Sequence, residues 1–221
     1  TLSNVETITG GTGADIITVD SQLSNAAVNL GTGVDSLTLS SNDNIATLSG
    51  IETITGDAGD DTITLGAIIS NGSIDLDAGD NILTFAAGNN TVTLDNVATV
   101  TGGSGQDTVT LAGALTTDMA IDLGAGSDKV TLSSGTNEGT LANVEIIRGD
   151  AGDDTITLGA ANTGLNIDLG DGADTIVLAD GANRGTLSNV ETITGGTDAD
   201  TLTLGSALTT SMSLDLDDGD D

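Results

Sequence analysis

The chain has 221 residues and a formal net charge of −31, with 34 acidic side chains, three basic side chains and no histidine, cysteine or proline. Such a charge repels nucleic acid and anionic lipid surfaces, so neither is expected as a partner. The one aromatic residue, Phe85, is too little for the aromatic-rich core of an ordinary globular enzyme domain.

Hydrophobic residues nevertheless make up 37% of the chain, which is too many for a disordered acidic tail. No apolar run approaches the roughly 20 residues that a membrane-spanning helix needs, so no membrane span is predicted. We therefore expect a folded chain whose core consists of thin layers of isoleucine, leucine and valine.

Internal repetition is the strongest feature of the sequence. A ten-residue segment that begins Thr-Leu at Thr1 returns at Thr47, Thr93, Thr140 and Thr186, at intervals of 46 or 47 residues. No change in composition marks a linker, so the sequence predicts a single repeat array over residues 1–221. Its repeats are 1–46, 47–92, 93–139, 140–185 and a truncated 186–221. Because both ends fall within repeats, we expect a portion of a longer array.

Each repeat carries a glycine-rich segment that ends in a strand-like stretch. Gly10–Thr18 reads GGTGADIIT and returns at Gly56–Thr64, Gly102–Thr110, Gly149–Thr157 and Gly195–Thr203. Glycine reaches backbone angles that other residues cannot adopt cheaply, which predicts a tight turn whose carbonyls can converge. The aspartate in sixth position adds a carboxylate. An oxygen-lined turn of this kind suits a hard cation such as calcium.

A second, shorter turn follows the first in every repeat. It is Leu30–Leu37 in the first repeat, and its acidic residue becomes Asn81 in the second. A neutral amide is expected to bind calcium less well than a carboxylate. Two turns in each repeat predict about two rungs per 46-residue repeat, each of roughly 20 to 26 residues. The alternatives left open are rungs of about 23 residues with all turns on one edge, or of about 46 with the two turn types on opposite edges.

Aliphatic residues alternate with threonine or serine after every turn. Ile17 and Val19, like Ile63 and Leu65, are separated by one polar residue. Period two with β-branched residues predicts a strand with one buried and one solvated face. The fold class predicted is therefore all-β, a parallel β-solenoid. The segments 20–26, 40–46 and 133–139 vary most among the repeats and are expected to be loops.

The glycine-rich turn resembles the nonapeptide G-G-x-G-x-D-x-U-x of the RTX (repeats-in-toxin) calcium-binding β-roll proteins. Gly10–Thr18 and Gly102–Thr110 match this pattern in full, whereas Asp57 and Asp150 replace its second glycine and Asp198 its third. The resemblance implies a right-handed RTX-type β-roll. It also implies several Ca²⁺ ions between stacked turns, each shared by turn carbonyls and the sixth-place aspartates.

The predicted calcium ligands are the acidic or amide side chains of the ten turns and the glycines beside them. If like turns stack, carboxylates about 4.8 Å apart would repel one another unless a cation lay between them. The alternative is a metal-free Asx-turn. The predicted side chains are Asp15, Asp35, Asp61, Asn81, Asp107, Asp128, Asp154, Asp174, Asp200 and Asp221. The predicted glycines are Gly11, Gly13, Gly31, Gly33, Gly59, Gly79, Gly103, Gly105, Gly126, Gly152, Gly172, Gly196 and Gly219.

Three further polar positions recur, each with one exception. Either they are inherited on a solvated face, which we favour, or they flank an additional cation site. The first set is Asn4, Asn96, Asn143 and Asn189, with Gly50 as the exception. The second is Glu6, Glu52, Glu145 and Glu191, with Ala98 as the exception. The third is Asp75, Asp122, Asp168 and Asp215, with Asn29 as the exception.

No enzymatic activity is predicted. The carboxylates are periodic and none of their pairs differs from the others, and no histidine or cysteine is present for nucleophilic catalysis. The glycines also lack the following helix and the basic residue of a phosphate-binding loop.

The function predicted is a calcium-dependent structural segment of a secreted bacterial surface protein, located outside the cell. An S-layer, an extracellular filament or an adhesin stalk would use such a segment. Expected partners are neighbouring copies of the chain and, through other parts of the protein, a cell-surface polysaccharide. The alternative is a calcium-binding accessory module of a secreted RTX enzyme. A weaker possibility is ice binding through the threonine files.

Overall fold

The computed structural model describes residues 2, 5–207, 210–217, 219 and 221, which fall into two compact units, Thr1–Val109 and Thr110–Asp221. All regular elements of the described chain are strands. The first unit contains β1 (Thr7–Gly11), β2 (Ile16–Thr18), β3 (Ser24–Gly31), β4 (Ser36–Thr38), β5 (Ile45–Ser49), β6 (Thr53–Ala58), β7 (Thr62–Leu65), β8 (Ser70–Ala78), β9 (Ile82–Thr84), β10 (Thr91–Asp95) and β11 (Thr99–Ser104).

One strand, β12 (Thr108–Leu111), contains the point of division between the units. The second unit contains β13 (Ala120–Ala125), β14 (Lys129–Thr131), β15 (Glu138–Ala142), β16 (Ile146–Arg148), β17 (Thr155–Leu158), β18 (Leu165–Asp168), β19 (Thr175–Val177), β20 (Arg184–Ser188), β21 (Thr192–Thr194), β22 (Thr201–Leu204) and β23 (Ser213–Asp215).

Successive strands alternate between two parallel sheets within each unit. In the first unit the odd-numbered strands β1 to β11 form one sheet and the even-numbered strands β2 to β10 form the other. In the second unit the odd strands β13 to β23 and the even strands β14 to β22 are arranged in the same way. A chain that returns to the same sheet every second strand is a parallel β-solenoid, which confirms the predicted fold class.

The pairing register gives the length of one rung of the solenoid. Thr7 pairs with Ala27, and Thr47 pairs with Thr64. Hydrogen bonds between stacked rungs span similar intervals, such as 20 residues from Asp15 to Asp35, 21 from Leu23 to Asn44 and 17 from Asn44 to Asp61. Five strands separate β5 from β10, which begin at equivalent positions of consecutive repeats. One repeat therefore makes two and a half rungs, which refines the prediction of about two. The rungs are shorter than either length that the sequence left open.

The half rung places equivalent residues of consecutive repeats in opposite sheets. Thr47 lies in β5, in the odd-numbered sheet, whereas Thr93 lies in β10, in the even-numbered sheet. The glycine-rich turn therefore alternates between the two edges of the solenoid from one repeat to the next.

Aliphatic side chains fill the space between the two sheets in columns. Leu37 pairs with Ile54, Ile54 with Ile74 and Ile74 with Leu94, and all four side chains are buried. Parallel strands in register place like side chains above one another, and every second residue faces inward. The predicted alternation is thereby confirmed. No helix among the described residues is long and apolar enough to cross a membrane.

Candidate metal centre

The turn side chains lie at the ends of the core, between a strand of one sheet and a strand of the other. Asp35 connects β3 to β4 on one edge, and Asp61 connects β6 to β7 on the other. Both side chains are fully buried, with 0% exposure, although each carries a carboxylate. Ionised carboxylates are rarely buried unless they are paired or bind a metal.

The first and second turns of one repeat stack on each other through the Oδ1 atom of the second. The backbone N–H of Asp15 donates to Oδ1 of Asp35 at 2.7 Å, and that of Asp154 donates to Oδ1 of Asp174 at 2.8 Å. Because the rungs are short, unlike turns stack within a repeat, and the next repeat places its pair on the opposite edge. This arrangement differs from the stacking of like turns considered from the sequence.

The second carboxylate oxygen of several turn aspartates has no hydrogen-bond donor. Oδ2 is buried and without a hydrogen-bond partner in Asp35, Asp61, Asp154 and Asp174. A buried charged oxygen without a partner carries a large desolvation cost, which a bound cation would offset. The charge distribution of these turns therefore fits a metal ion.

Burial raises the pKa of two turn aspartates. Desolvation, together with the neighbouring Asp154 and Glu191 carboxylates, raises the pKa of Asp174 to about 6. Desolvation likewise raises the pKa of Asp61, although hydrogen bonds from Asn44 act in the opposite direction. Without a cation, the carboxyl groups of Asp61 and Asp174 therefore hold their protons more tightly than free aspartate does.

Carbonyl oxygens of one turn approach the glycines of the next at close range. A Cβ atom at Gly31 would lie 2.1 Å from the carbonyl oxygen of Gly11, and one at Gly79 would lie 2.0 Å from that of Gly59. These two glycines have φ angles of 95° and 134°, in the region that favours glycine. The stacked turns thus present backbone oxygens where a side chain would otherwise lie.

The donor set favours calcium over a transition metal. Within the described ranges, no three acidic, histidine or cysteine side chains form a group that could hold a metal ion. A cation at the turns would therefore bind to backbone carbonyls together with one or two carboxylates. Calcium accepts six to eight such oxygen ligands in flexible geometry, whereas zinc prefers nitrogen and sulfur. The residues present fit calcium.

The predicted ligand residues have the following placement, and their binding of calcium stays a prediction. Eight turn side chains are buried, and they are Asp35, Asp61, Asn81, Asp107, Asp128, Asp154, Asp174 and Asp200. Asp15 is half-buried and Asp221 is exposed. Every predicted glycine lies in a turn or in the strand end beside it: Gly11, Gly13, Gly31, Gly33, Gly59, Gly79, Gly103, Gly105, Gly126, Gly152, Gly172, Gly196 and Gly219.

Sequence reasoning missed a buried asparagine in every full repeat. Its members are Asn44, Asn90, Asn137 and Asn183, all with 0% exposure. Asn44 lies in the segment 40–46, and Asn137 in 133–139, both expected to be loops. Each asparagine donates its backbone N–H to the first-turn aspartate 17 residues later, as Asn137 does to Asp154 at 2.9 Å. This constant interval was the signal available in the sequence.

The recurring glutamate accepts a backbone N–H from the second-turn aspartate, and it lies one rung beyond that turn. Oε2 of Glu52 accepts the backbone N–H of Asp35 at 2.8 Å, and Oε2 of Glu191 accepts that of Asp174 at 2.9 Å. In the second unit one edge therefore carries a continuous ladder of acceptors. Its members in order are Asn137, Asp154, Asp174 and Glu191.

The recurring asparagines of the first set form hydrogen bonds with the recurring aspartates of the third set. Asn96 donates its amide to Asp75 at 2.8 Å, and the same bond links Asn143 to Asp122 and Asn189 to Asp168. The φ angle of these asparagines is 52° or 53°, and that of Gly50 is 58°. Asparagine and glycine tolerate this left-handed region best, which explains the exchange at this position. Asn4 lies outside the described residues.

A comparison with protein families identifies the repeats. A model described as the RTX calcium-binding nonapeptide repeat (4 copies) matches residues 3–21, 37–67, 73–92, 142–162 and 188–207, which together make up just over half of the chain. No curated protein and no solved structure matches the chain. The solenoid, the glycine-rich turns and the buried carboxylates agree with this match. The chain belongs to the family of RTX calcium-binding nonapeptide repeats, a structural calcium-binding fold typical of secreted proteins.

Proposed function

We propose that the chain is a calcium-dependent structural segment of a secreted bacterial surface protein, such as an S-layer, an extracellular filament or an adhesin stalk. Calcium would fold and stiffen the repeats outside the cell. The observation that carries this proposal is the buried Oδ2 atom without a donor in the turn aspartates Asp35, Asp61, Asp154 and Asp174.

Each aspartate turn would hold calcium with two kinds of ligand. The carboxylate supplies Oδ2, and the stacked turn supplies carbonyl oxygens such as that of Gly59, which faces Gly79. Oδ1 of a second-turn aspartate remains bonded to the backbone N–H of the turn before it, so it positions the carboxylate. The bound ion supplies positive charge that holds adjacent rungs together.

The whole-chain charge supports dependence on calcium. Three basic side chains oppose 34 acidic ones, so the compact chain repels itself in the absence of bound cations. Oxygen-only sites of extracellular modules bind calcium at roughly 10⁻⁴ to 10⁻³ M. Cytosolic calcium is too scarce for such sites, whereas extracellular calcium is sufficient. The chain would thus fold after export.

Association with neighbouring copies is part of the proposal. Ile16 and Val34, which are 82% and 73% exposed, lie beside the stacked Asp15 and Asp35 turns. Calcium at these turns would lower the repulsion between copies and leave apolar side chains available for contact. Sedimentation velocity in saturating calcium tests this part. Growth of assemblies with protein concentration supports it, and a monomer at every concentration contradicts it.

Circular dichroism in EDTA, followed by titration with calcium, tests the central claim. We expect a cooperative gain of β-sheet signal near millimolar calcium and little response to magnesium, which binds such flexible oxygen sites poorly. The variant Asp154→Asn should shift the midpoint, whereas Asp118→Asn, which removes the same charge at an exposed position, should not. A fully folded spectrum in EDTA that calcium leaves unchanged would contradict the proposal.

A further inference from the structure

The missed asparagines use their side-chain amides to bond to their own turns. Nδ2 of Asn137 donates to the carbonyl oxygens of Ser133 and Gly135 at 2.9 and 2.8 Å, and to Oδ1 of Asp154 at 2.9 Å. The turn carbonyls belong to the residues four and two positions earlier. The same pattern is present at Asn44, Asn90 and Asn183.

The aspartate turns have an oxygen atom where the asparagine turns have this amide nitrogen. Oδ1 of Asn137 accepts the backbone N–H of Leu115, just as Oδ1 of Asp154 accepts that of Asn137. The two Oδ1 atoms therefore play one role, and Oδ2 of Asp154 corresponds to Nδ2 of Asn137. Nδ2 has three acceptors within hydrogen-bond distance, whereas Oδ2 is buried and has no partner.

An oxygen atom cannot replace an N–H donor toward carbonyl oxygens. In an asparagine turn, the amide supplies the positive hydrogens that these oxygens need. In the turns of Asp35, Asp61, Asp154 and Asp174, the oxygen at that position is buried and has no donor, so a cation would fill the role. The side-chain amide and the bound ion are thus alternative sources of positive charge for these buried oxygen atoms.

We propose that Asn44, Asn90, Asn137 and Asn183 form metal-free turns, in which the side-chain amide takes the place of calcium. This inference rests on the proposed binding of calcium at the aspartate turns and extends it. Calcium then controls only part of each repeat. The asparagine turns keep their hydrogen bonds when calcium is withdrawn and remain the ordered points from which the array refolds.

Asn81 is an asparagine in place of the second-turn aspartate of the second repeat. Its amide donates to the carbonyl oxygens of Leu76 and Asp77 at 3.3 Å and to that of Asn96 at 3.1 Å. These bonds are longer than those of Asn137, and one acceptor lies in the following turn. The second repeat therefore has one calcium site fewer than a repeat with aspartate here.

Counting bound calcium in paired variants is the first test. Equilibrium dialysis against saturating calcium, with metal analysis, gives the number of ions per chain. Asn90→Asp should gain one ion, because it creates an aspartate turn, and Asp154→Asn should lose one. Asn89→Asp adds the same charge at the exposed neighbouring position and should gain none. An unchanged ion count in Asn90→Asp and Asp154→Asn would overturn the inference.

Hydrogen exchange in EDTA, read by mass spectrometry, is the second test and needs no variant. Peptides that cover 40–44 and 133–137 should exchange about tenfold more slowly than those covering 57–61 and 150–154. Equal exchange rates would overturn the inference. If wild-type protein takes up no calcium at all, the proposed function fails. If it takes up calcium but the asparagine turns gain no protection in EDTA, only this inference fails.

Discussion

Asn44 donates both its backbone N–H and its side-chain amide to one atom of Asp61, the carboxylate oxygen Oδ1, at 2.8 Å in each case. The two residues lie on neighbouring rungs and both are fully buried. One carboxylate oxygen thus fixes the stacking of an asparagine turn on an aspartate turn.

Replacement of this acceptor should destabilise the stack. Asp61→Ala leaves the buried backbone N–H of Asn44 without this acceptor and removes one of the three acceptors of its side-chain amide, which costs about 1–3 kcal/mol. Asp61→Asn retains an Oδ1 acceptor and serves as the control, since it also removes the negative charge. Thermal unfolding in saturating calcium should give a lower midpoint for Asp61→Ala than for Asp61→Asn. Equal midpoints would show that the shared acceptor contributes nothing.

Two glycines of the turns should respond differently to alanine, although both are among the predicted calcium ligands. Gly79→Ala introduces a Cβ 2.0 Å from the Gly59 carbonyl oxygen at a φ of 134°, so we expect a loss of several kcal/mol. Gly13 has open space around its Cβ position, and Gly13→Ala should change stability by less than about 0.5 kcal/mol. Chemical denaturation in calcium measures both. A similar loss in the two variants would contradict the close contact between stacked turns at Gly79.

Shortening a side chain in a core column should lower the free energy of unfolding, and the loss should be larger for a more deeply buried side chain. Ile74 is 1% exposed and packs between Ile54 and Leu94, so Ile74→Ala should lower the free energy of unfolding by about 2–5 kcal/mol. Ile16 is 82% exposed, and Ile16→Ala is the matched control with little expected effect. Denaturant unfolding followed by circular dichroism gives both values. An equal effect of the two substitutions would argue against the two-sheet core.

The metal-free chain should become more stable as the pH falls. The pKa of Asp174 is raised to about 6 in the folded chain from 3.8, and that of Asp61 is also raised, so the folded state binds more protons in this interval. Stability therefore decreases as the pH rises from about 4 through 6. Circular dichroism in EDTA at pH 4.5 and 7 should show the stronger β-sheet signal at pH 4.5. Asp174→Asn should reduce this difference, and a stronger signal at pH 7 would contradict the assignment.

Local patterns in the sequence predicted the fold well. Alternation at Ile63 and Leu65 identified a strand with a buried face, and the glycine-rich segment identified a turn that carries a carboxylate. Both signals are local, since side-chain period and backbone angle depend on a few neighbouring residues. The strands and the position of the aspartates in turns could therefore be predicted from the sequence.

The stacking partners of those turns could not be predicted from the sequence, because they depend on the length of a rung. The repeat interval in the sequence suggested an integral number of rungs, whereas the register of Thr47 on Thr64 gives a shorter rung and two and a half rungs per repeat. This register brings Asn44 next to Asp61. In a variable segment, Asn44 resembles an ordinary loop residue, and only its long-range partner explains its burial.

The half-integral repeat also constrains how such an array can change length. Within the first unit, Thr47 and Thr93 are counterparts in consecutive repeats but belong to opposite sheets. Insertion or loss of one repeat would exchange the two faces for every residue downstream, whereas insertion or loss of two would restore them. Duplication in pairs is therefore the change that preserves which side of the solenoid any given residue faces.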